Sequence, residues 1–188
     1  MLDVREGFAD TPGYYLKLGW QPPLPLRIEL FHYDNRADPE AVNEELEWGW
    51  HTKFNNIGAM VDLGRGAQLK LQAMEGRSLM GVDDEGEGIW IDSRFRSAFA
   101  LVSAPIGNAN VAARIEAFGT RQHGSEIQSE SEEDGWAATI AARRDLGPYL
   151  TGVIELLHVS SRRAEREKLG LDERQRQTQI QGDLRVRW

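Results

Sequence analysis

The segment Gln177-Thr178-Gln179-Ile180-Gln181-Gly182-Asp183-Leu184-Arg185-Val186-Arg187-Trp188 alternates without a break. Thr178, Ile180, Gly182, Leu184, Val186 and Trp188 take the even positions, and an amide or a charge takes every odd one. A period of two puts the two sets on opposite faces of an extended strand, whereas a helix would spread them around its circumference. Taken alone, the segment fits a surface strand of a soluble sandwich equally well.

The pattern recurs along the chain. Ile89, Ile91, Ser93, Phe95, Ser97, Phe99 and Leu101 alternate with Asp92, Arg94 and Arg96, and Val111, Ala113, Ile115 and Ala117 with Arg114 and Glu116. Ala67, Leu69, Leu71 and Ala73 alternate with Gln68, Lys70 and Gln72, and Leu24, Leu26, Ile28 and Leu30 with Arg27 and Glu29. Further strands are expected at Tyr14 to Trp20, Trp48 to Leu63, Trp136 to Arg143 and Tyr149 to Val159, nine in all, with Val4 to Phe8 as a tenth. The apolar phase changes near Asn55-Asn56, from Trp48, Trp50 and Phe54 to Ile57, Ala59, Val61 and Leu63, which predicts a β-bulge there. Between Tyr149 and Val159 both faces are largely apolar and only Glu155 marks a polar side.

Connections alternate in length as the strands alternate in polarity. Short joints fall at Gln21 to Pro23, Gly64 to Gly66, Ile106 to Asn108 and Gly147-Pro148, and long polar stretches at Asp34 to Glu47, Gly76 to Gly88, Arg121 to Gly135 and Ser160 to Arg176. Short turns at one end and long loops at the other are the habit of outer-membrane barrels, the short ones being periplasmic. Trp20 and Trp188 lie at short-turn ends and Trp48, Trp50, Trp90 and Trp136 beside long loops, as two headgroup-level aromatic belts require. Trp90 shares its parity with Asp92 and Arg94, so it is expected to face inward and cap the pore rim.

No run approaches the roughly 18 uninterrupted apolar residues of a spanning helix, so a membrane reading must use strands. A hydrophobic share of 40% is compatible with that, because a barrel strand shows lipid only half of its side chains. The length of 188 residues fits a single domain. The lack of cysteine removes disulfide frameworks, thiolate metal sites and thiol nucleophiles together, and the formal charge of −8 argues against a nucleic-acid partner. Met1-Leu2-Asp3-Val4-Arg5-Glu6 has neither the basic start nor the apolar segment of a secretory signal, so the chain is expected to be mature, truncated or a fragment. Residues 1–188 form either one barrel domain, closed with ten strands if Val4 to Phe8 is one, or the C-terminal part of a larger barrel, the favoured reading.

A polar-alternating last strand with a terminal aromatic, Leu184-Arg185-Val186-Arg187-Trp188, resembles the C-terminal signature of bacterial outer-membrane barrels. The resemblance implies that Trp188 is recognised by the barrel-assembly machinery. The longer pattern of strands and loops is broadly similar to the phosphate-selective porins, without a phosphate-binding motif that matches residue by residue. It implies an all-β, antiparallel up-and-down transmembrane barrel in the outer membrane, a homotrimer as one arrangement, and passive diffusion of small hydrophilic solutes rather than catalysis.

If the apolar faces touch lipid, the opposite faces line the pore. The expected lining is Lys17, Arg27, Lys53, Lys70, Arg94, Arg96, Arg114, Arg143, Arg185 and Arg187, with Glu29, Asp92, Glu116, Glu155 and Asp183. Rings of Arg and Lys lower the electrostatic cost of an entering anion, which predicts an anion preference. Cross-strand pairing of the same residues is the bland alternative, and only an unpaired surplus would then set selectivity.

The acidic surplus lies in three runs: Asp38, Glu40, Glu44, Glu45 and Glu47; Asp83, Asp84, Glu85 and Glu87; and Glu130, Glu132, Glu133 and Asp134. Holding divalent cations near the lipopolysaccharide surface is one reading of these runs and plain solvated loops the commoner one, and none has the spacing of a calcium-binding EF loop. Arg162 to Arg176 reads as a short helix ending at Gly170. His32 with Asp34 and His158 beside Ser160 sit where some outer-membrane barrel hydrolases carry acid and histidine groups, but closeness in sequence does not make a catalytic set. No metal or cofactor is expected. A soluble barrel that carries a lipid or other ligand is the remaining alternative, and it would turn every inside and outside assignment around.

Overall fold

Residues 12–83, 88–125 and 131–187 are described by a computed structural model. They form one antiparallel sheet of nine strands: β1 (Tyr14–Trp20), β2 (Leu26–Asp34), β3 (His51–Gly64), β4 (Ala67–Asp83), β5 (Ile89–Ile106), β6 (Ala109–Gln122), β7 (Glu133–Asp145), β8 (Leu150–Arg163) and β9 (Arg174–Val186). Spatial order follows chain order, and β1 and β9 are not paired with each other. The all-β, up-and-down expectation therefore stands, while the sheet is open and is not a closed barrel. Val4 to Phe8, Asp84, Glu85, Glu87, Glu130 and Trp188 lie outside the described residues.

The short joints follow from turn chemistry. Gly64 pairs with Ala67, leaving Arg65 and Gly66 as a two-residue loop with φ of 54° and 79°. Positive φ at both central residues is what a type I′ hairpin demands, and it suits the right-handed twist of the flanking strands. Ile106 pairs with Ala109 around Gly107-Asn108, where Gly107 alone has positive φ, 61°.

Several strands run further than their apolar period. β4 continues through Gly76 to Asp83, so most of the stretch expected as a long loop is paired strand. Polar partners carry that extension: Ser78 lies opposite Ser93, and the Thr52 and Ser78 hydroxyls are 2.8 Å apart. In the third acidic run Glu133 and Asp134 are not loop residues: they belong to β7 and pair with Arg166 and Arg121 at 2.8 and 2.9 Å. The expected short helix is present as the 3-10 turn Ala164–Leu169, closed by Gly170 in the left-handed region with φ 71°.

The bulge expected at Asn55-Asn56 is absent. Pairing runs unbroken there, with Asn55 opposite His32 and Glu75, and the register shift of β3 falls between Asp62 and Gly64. The apolar phase changes because Phe54 packs with Phe31 and Tyr33, ring centroids 5.7 and 5.2 Å apart, on the face opposite to Ile57. No extra residue is needed for an aromatic to choose the other face.

The sheet is a single layer, and the buried apolar residues described, Ala37, Ala41 and Val42, all lie in the β2–β3 loop. That loop folds back on the sheet: the Gly49 N–H donates to the Ala41 carbonyl at 2.9 Å and the Gly81 N–H to the Pro39 carbonyl at 2.9 Å. Trp48 and Trp50 precede β3 rather than belonging to it, and Trp48 packs against Trp90 with centroids 4.7 Å apart. Trp90 also covers Gly81, where a Cβ would come within 2.6 Å of it, so its place is this small loop core.

Candidate functional site

Residues directly opposite in an antiparallel ladder point to the same side, so the register sorts the whole sheet into two faces. One row runs Leu18, Leu30, Ile57, Ala73, Ala98, Ala117 and Trp136 across β1 to β7. Four residues nearer the short turns, a second runs Leu26, Val61, Leu69, Val102, Ala113, Ile140, Leu156 and Ile180 across β2 to β9. Nothing among the described residues covers this apolar face: Ile115 is 61% exposed, Ile154 59% and Ile180 72%. On β5 it presents Ala98, Ala100, Val102, Ala104 and Ile106 in succession. At about 3.3 Å per residue that belt is roughly 27–30 Å long, the reach of a tilted strand across a bilayer's hydrocarbon.

The opposite, mixed face gathers most of the expected lining: Lys17, Arg27, Glu29, Lys70, Arg114, Glu116, Arg143, Glu155, Asp183 and Arg185. Arg187 follows just past β9, its N–H bonded to the Tyr149 carbonyl. Much of the charge is paired locally. Glu29 holds both Lys17 at 3.2 Å and Arg27 at 2.6 Å; Arg114 holds Glu116 at 2.7 Å and Arg185 holds Asp183 at 2.7 Å. Arg27, Met60, Lys70, Leu101 and Arg114 form one row, and a cavity of 400 Å³ opens beside Arg27, Lys70, Gln72 and Phe99. The Arg114 guanidinium lies 4.0 Å above the Phe99 ring. Phe118 and Phe95 stand on this face opposite Gly135 and Gly76, each ring filling the space its glycine leaves.

Lys53, Asp92, Arg94 and Arg96 do not join that set. They stand on the apolar face, beyond its oily belt toward the long loops. Phe95 and Phe99 share the face of Glu116 and so invert the apparent polarity of the strand; the even positions Ala98, Ala100 and Val102 carry the apolar side of β5. Two further basic residues were hidden in segments read as loops. Asp34, Lys53, Arg77, Arg94 and Arg121 form one row across β2 to β6. Arg77 grips buried Asp92 with two bonds of 2.6 and 2.8 Å, and Arg121 reaches Asp134 at 2.9 Å and Glu132 at 3.6 Å. Lys53 and Arg94 are exposed and have no ion-pair partner within 4 Å among the described residues.

The histidines make ordinary polar contacts. His51, not His32, bonds Asp34, at 3.0 Å, while His32 bonds Asn55 at 2.8 Å. His158 bonds Thr178 at 2.8 Å rather than Ser160. No cluster of three metal-ligating residues occurs among the described residues. No protein-family model, curated protein or solved structure matches this chain.

Proposed function

We propose that the chain forms wall of a porin-like channel in a bacterial outer membrane, with the apolar face against lipid and the mixed face along a water-filled passage. The observation that carries this reading is the uncovered belt of aliphatic side chains on one face of a single-layer sheet, backed by charges and amides. In water such a belt would need a second layer over it, whereas hydrocarbon satisfies it directly. Small hydrophilic solutes pass by diffusion, the final strand serves as the assembly signal, and further strands or copies complete the barrel.

Selectivity is modest. Lys17, Arg27, Lys70, Arg114, Arg143, Arg163 and Arg185 stand on the mixed face against Glu29, Asp62, Glu116, Glu133, Asp145, Glu155 and Asp183, so the signs nearly cancel over its length. The anion preference is local, resting on the row of Arg27, Lys70 and Arg114, where Lys70 has no ion-pair partner among the described residues.

An apolar cavity of 830 Å³ between Leu16, Leu30, Ile57 and Ala98 is the observation that favours the second reading, a soluble lipid carrier. Detergent decides between them. A channel wall needs it to stay monodisperse and conducts in planar bilayers with a reversal potential displaced toward the anion; a carrier is monodisperse without it and conducts nothing.

A further inference from the structure

We propose that the apolar face carries a binding site for a phosphate-bearing acyl lipid, with its head on the basic row Lys53, Arg77, Arg94, Arg121 and its chain along the adjoining trough. The inference rests on the reading of that face as the lipid side. Lys53 lies opposite Arg77, Arg77 opposite Arg94, and Arg94 opposite Arg121, three consecutive cross-strand pairs of like charge. Like charges so placed repel and weaken a sheet; carboxylates form ion pairs with Arg77 and Arg121, Asp34 stands opposite Lys53 but is bonded by His51, and Asp92, gripped by Arg77, also attracts Arg94 at longer range. Lys53 and Arg94 make no ion pair within 4 Å among the described residues, so their N–H donors remain open to a ligand.

The space has the shape of such a ligand. A 400 Å³ cavity is lined by Lys53, Arg77, Arg94, Arg96 and Arg121, with Glu75 as the one carboxylate in its wall. It shares His32, Asn55, Glu75 and Arg96 with the 830 Å³ trough, whose remaining walls include Leu16, Leu18, Leu30, Ile57 and Ala98. A cationic pocket thus opens into an apolar groove at the edge of the oily belt, which is the depth of lipid headgroups. Guanidinium groups hold phosphate oxygens through paired N–H bonds, and the groove keeps an acyl chain against aliphatic side chains.

The test uses the full chain folded in dodecyl maltoside micelles and follows 31P NMR of added dodecyl phosphate, with inorganic phosphate in a parallel arm. Saturable binding of dodecyl phosphate at least tenfold tighter than that of inorganic phosphate supports the site. Equal affinity for the two, or no saturation above the micelle background, overturns it. The variant Lys53→Gln/Arg94→Gln weakens dodecyl phosphate binding at least fivefold, and Lys53→Arg/Arg94→Lys retains it; an unchanged affinity in the first variant overturns the proposal. The two wild-type arms decide without any variant. A chain that is monodisperse without detergent removes the membrane reading itself, whereas a detergent-dependent chain with no preference for the phosphate amphiphile removes only this site.

Discussion

Arg77 of β4 and Arg94 of β5 stand directly opposite one another, and Arg94 faces a second arginine, Arg121, on its other side. Arg77 is neutralised by Asp92, whose carboxylate it grips with both ends of the guanidinium. Arg94 has no ion pair of its own among the described residues: it faces two arginines that are already paired and shares only the longer-range attraction of Asp92.

Replacing Arg94 by Glu turns both like-charge pairs into opposite-charge pairs. The expected gain is about 0.2–1 kcal/mol for each pair, read as a higher urea midpoint in micelles at low salt. A midpoint that falls would show that the attraction between Arg94 and Asp92 outweighs its repulsion from the two arginines.

Glycine at position 135 is there for Phe118. A Cβ at Gly135 would lie 2.5 Å from Phe118 Cζ and 2.9 Å from the Ser160 carbonyl oxygen, so Gly135→Val should cost about 1–3 kcal/mol. At Gly182 the nearest atom to a new Cβ is the Val153 carbonyl oxygen at 4.0 Å, and Gly182→Ala should instead be neutral or stabilising by up to about 1 kcal/mol. Thermal unfolding followed by circular dichroism distinguishes the two.

Lys70 is the unpaired cation of the mixed-face row that also holds Arg27 and Arg114. On the proposed channel reading, Lys70→Glu should move the reversal potential of the reconstituted protein toward the cation under a salt gradient, with conductance retained. An unshifted potential would place the selectivity elsewhere.

Arg162 donates to Glu173 at 2.6 Å, closing the connection between β8 and β9, and this bond holds the Glu173 carboxyl below its usual range. A carboxyl lowered on folding adds stability that is present above its unfolded pKa and is lost as pH falls through the lower, folded value. Acidification should therefore release the Arg162 clasp only as pH falls through this lowered value, and Arg162→Gln should return Glu173 to the ordinary range. Carbon-detected NMR titration of the Glu173 carboxyl measures both.

Legibility in the sequence followed the chemistry of each strand. β9 could be read directly, because Gln and Arg alternate with Ile, Leu and Val and no aromatic crosses to the polar side. β5 could not, because Phe95 covers Gly76 and Phe99 lies beneath Arg114 on the mixed face, so the heaviest apolar residues mark the side away from the oily belt. Strand ends were under-read for a related reason: past Gly76 the ladder is held by hydroxyls and by Arg77 with Asp92, which carry no apolar period. The β2–β3 loop core gave no sign either, since Ala37, Ala41 and Val42 are small, irregularly spaced and surrounded by acids. Among the basic residues, Arg77 and Arg121 were lost with those strand ends, and Lys53 and Arg94 became intelligible only through what stands opposite them.

Because every strand from β1 to β9 has only its chain neighbours beside it, no ladder waits on a distant partner. Loop closure is brief at each step, and every finished hairpin offers its outer rim as a template for the next. A protease nick in the connection between β4 and β5 would leave two pieces, each with its own hairpins intact, and mixing them should restore the sheet by stitching a single seam.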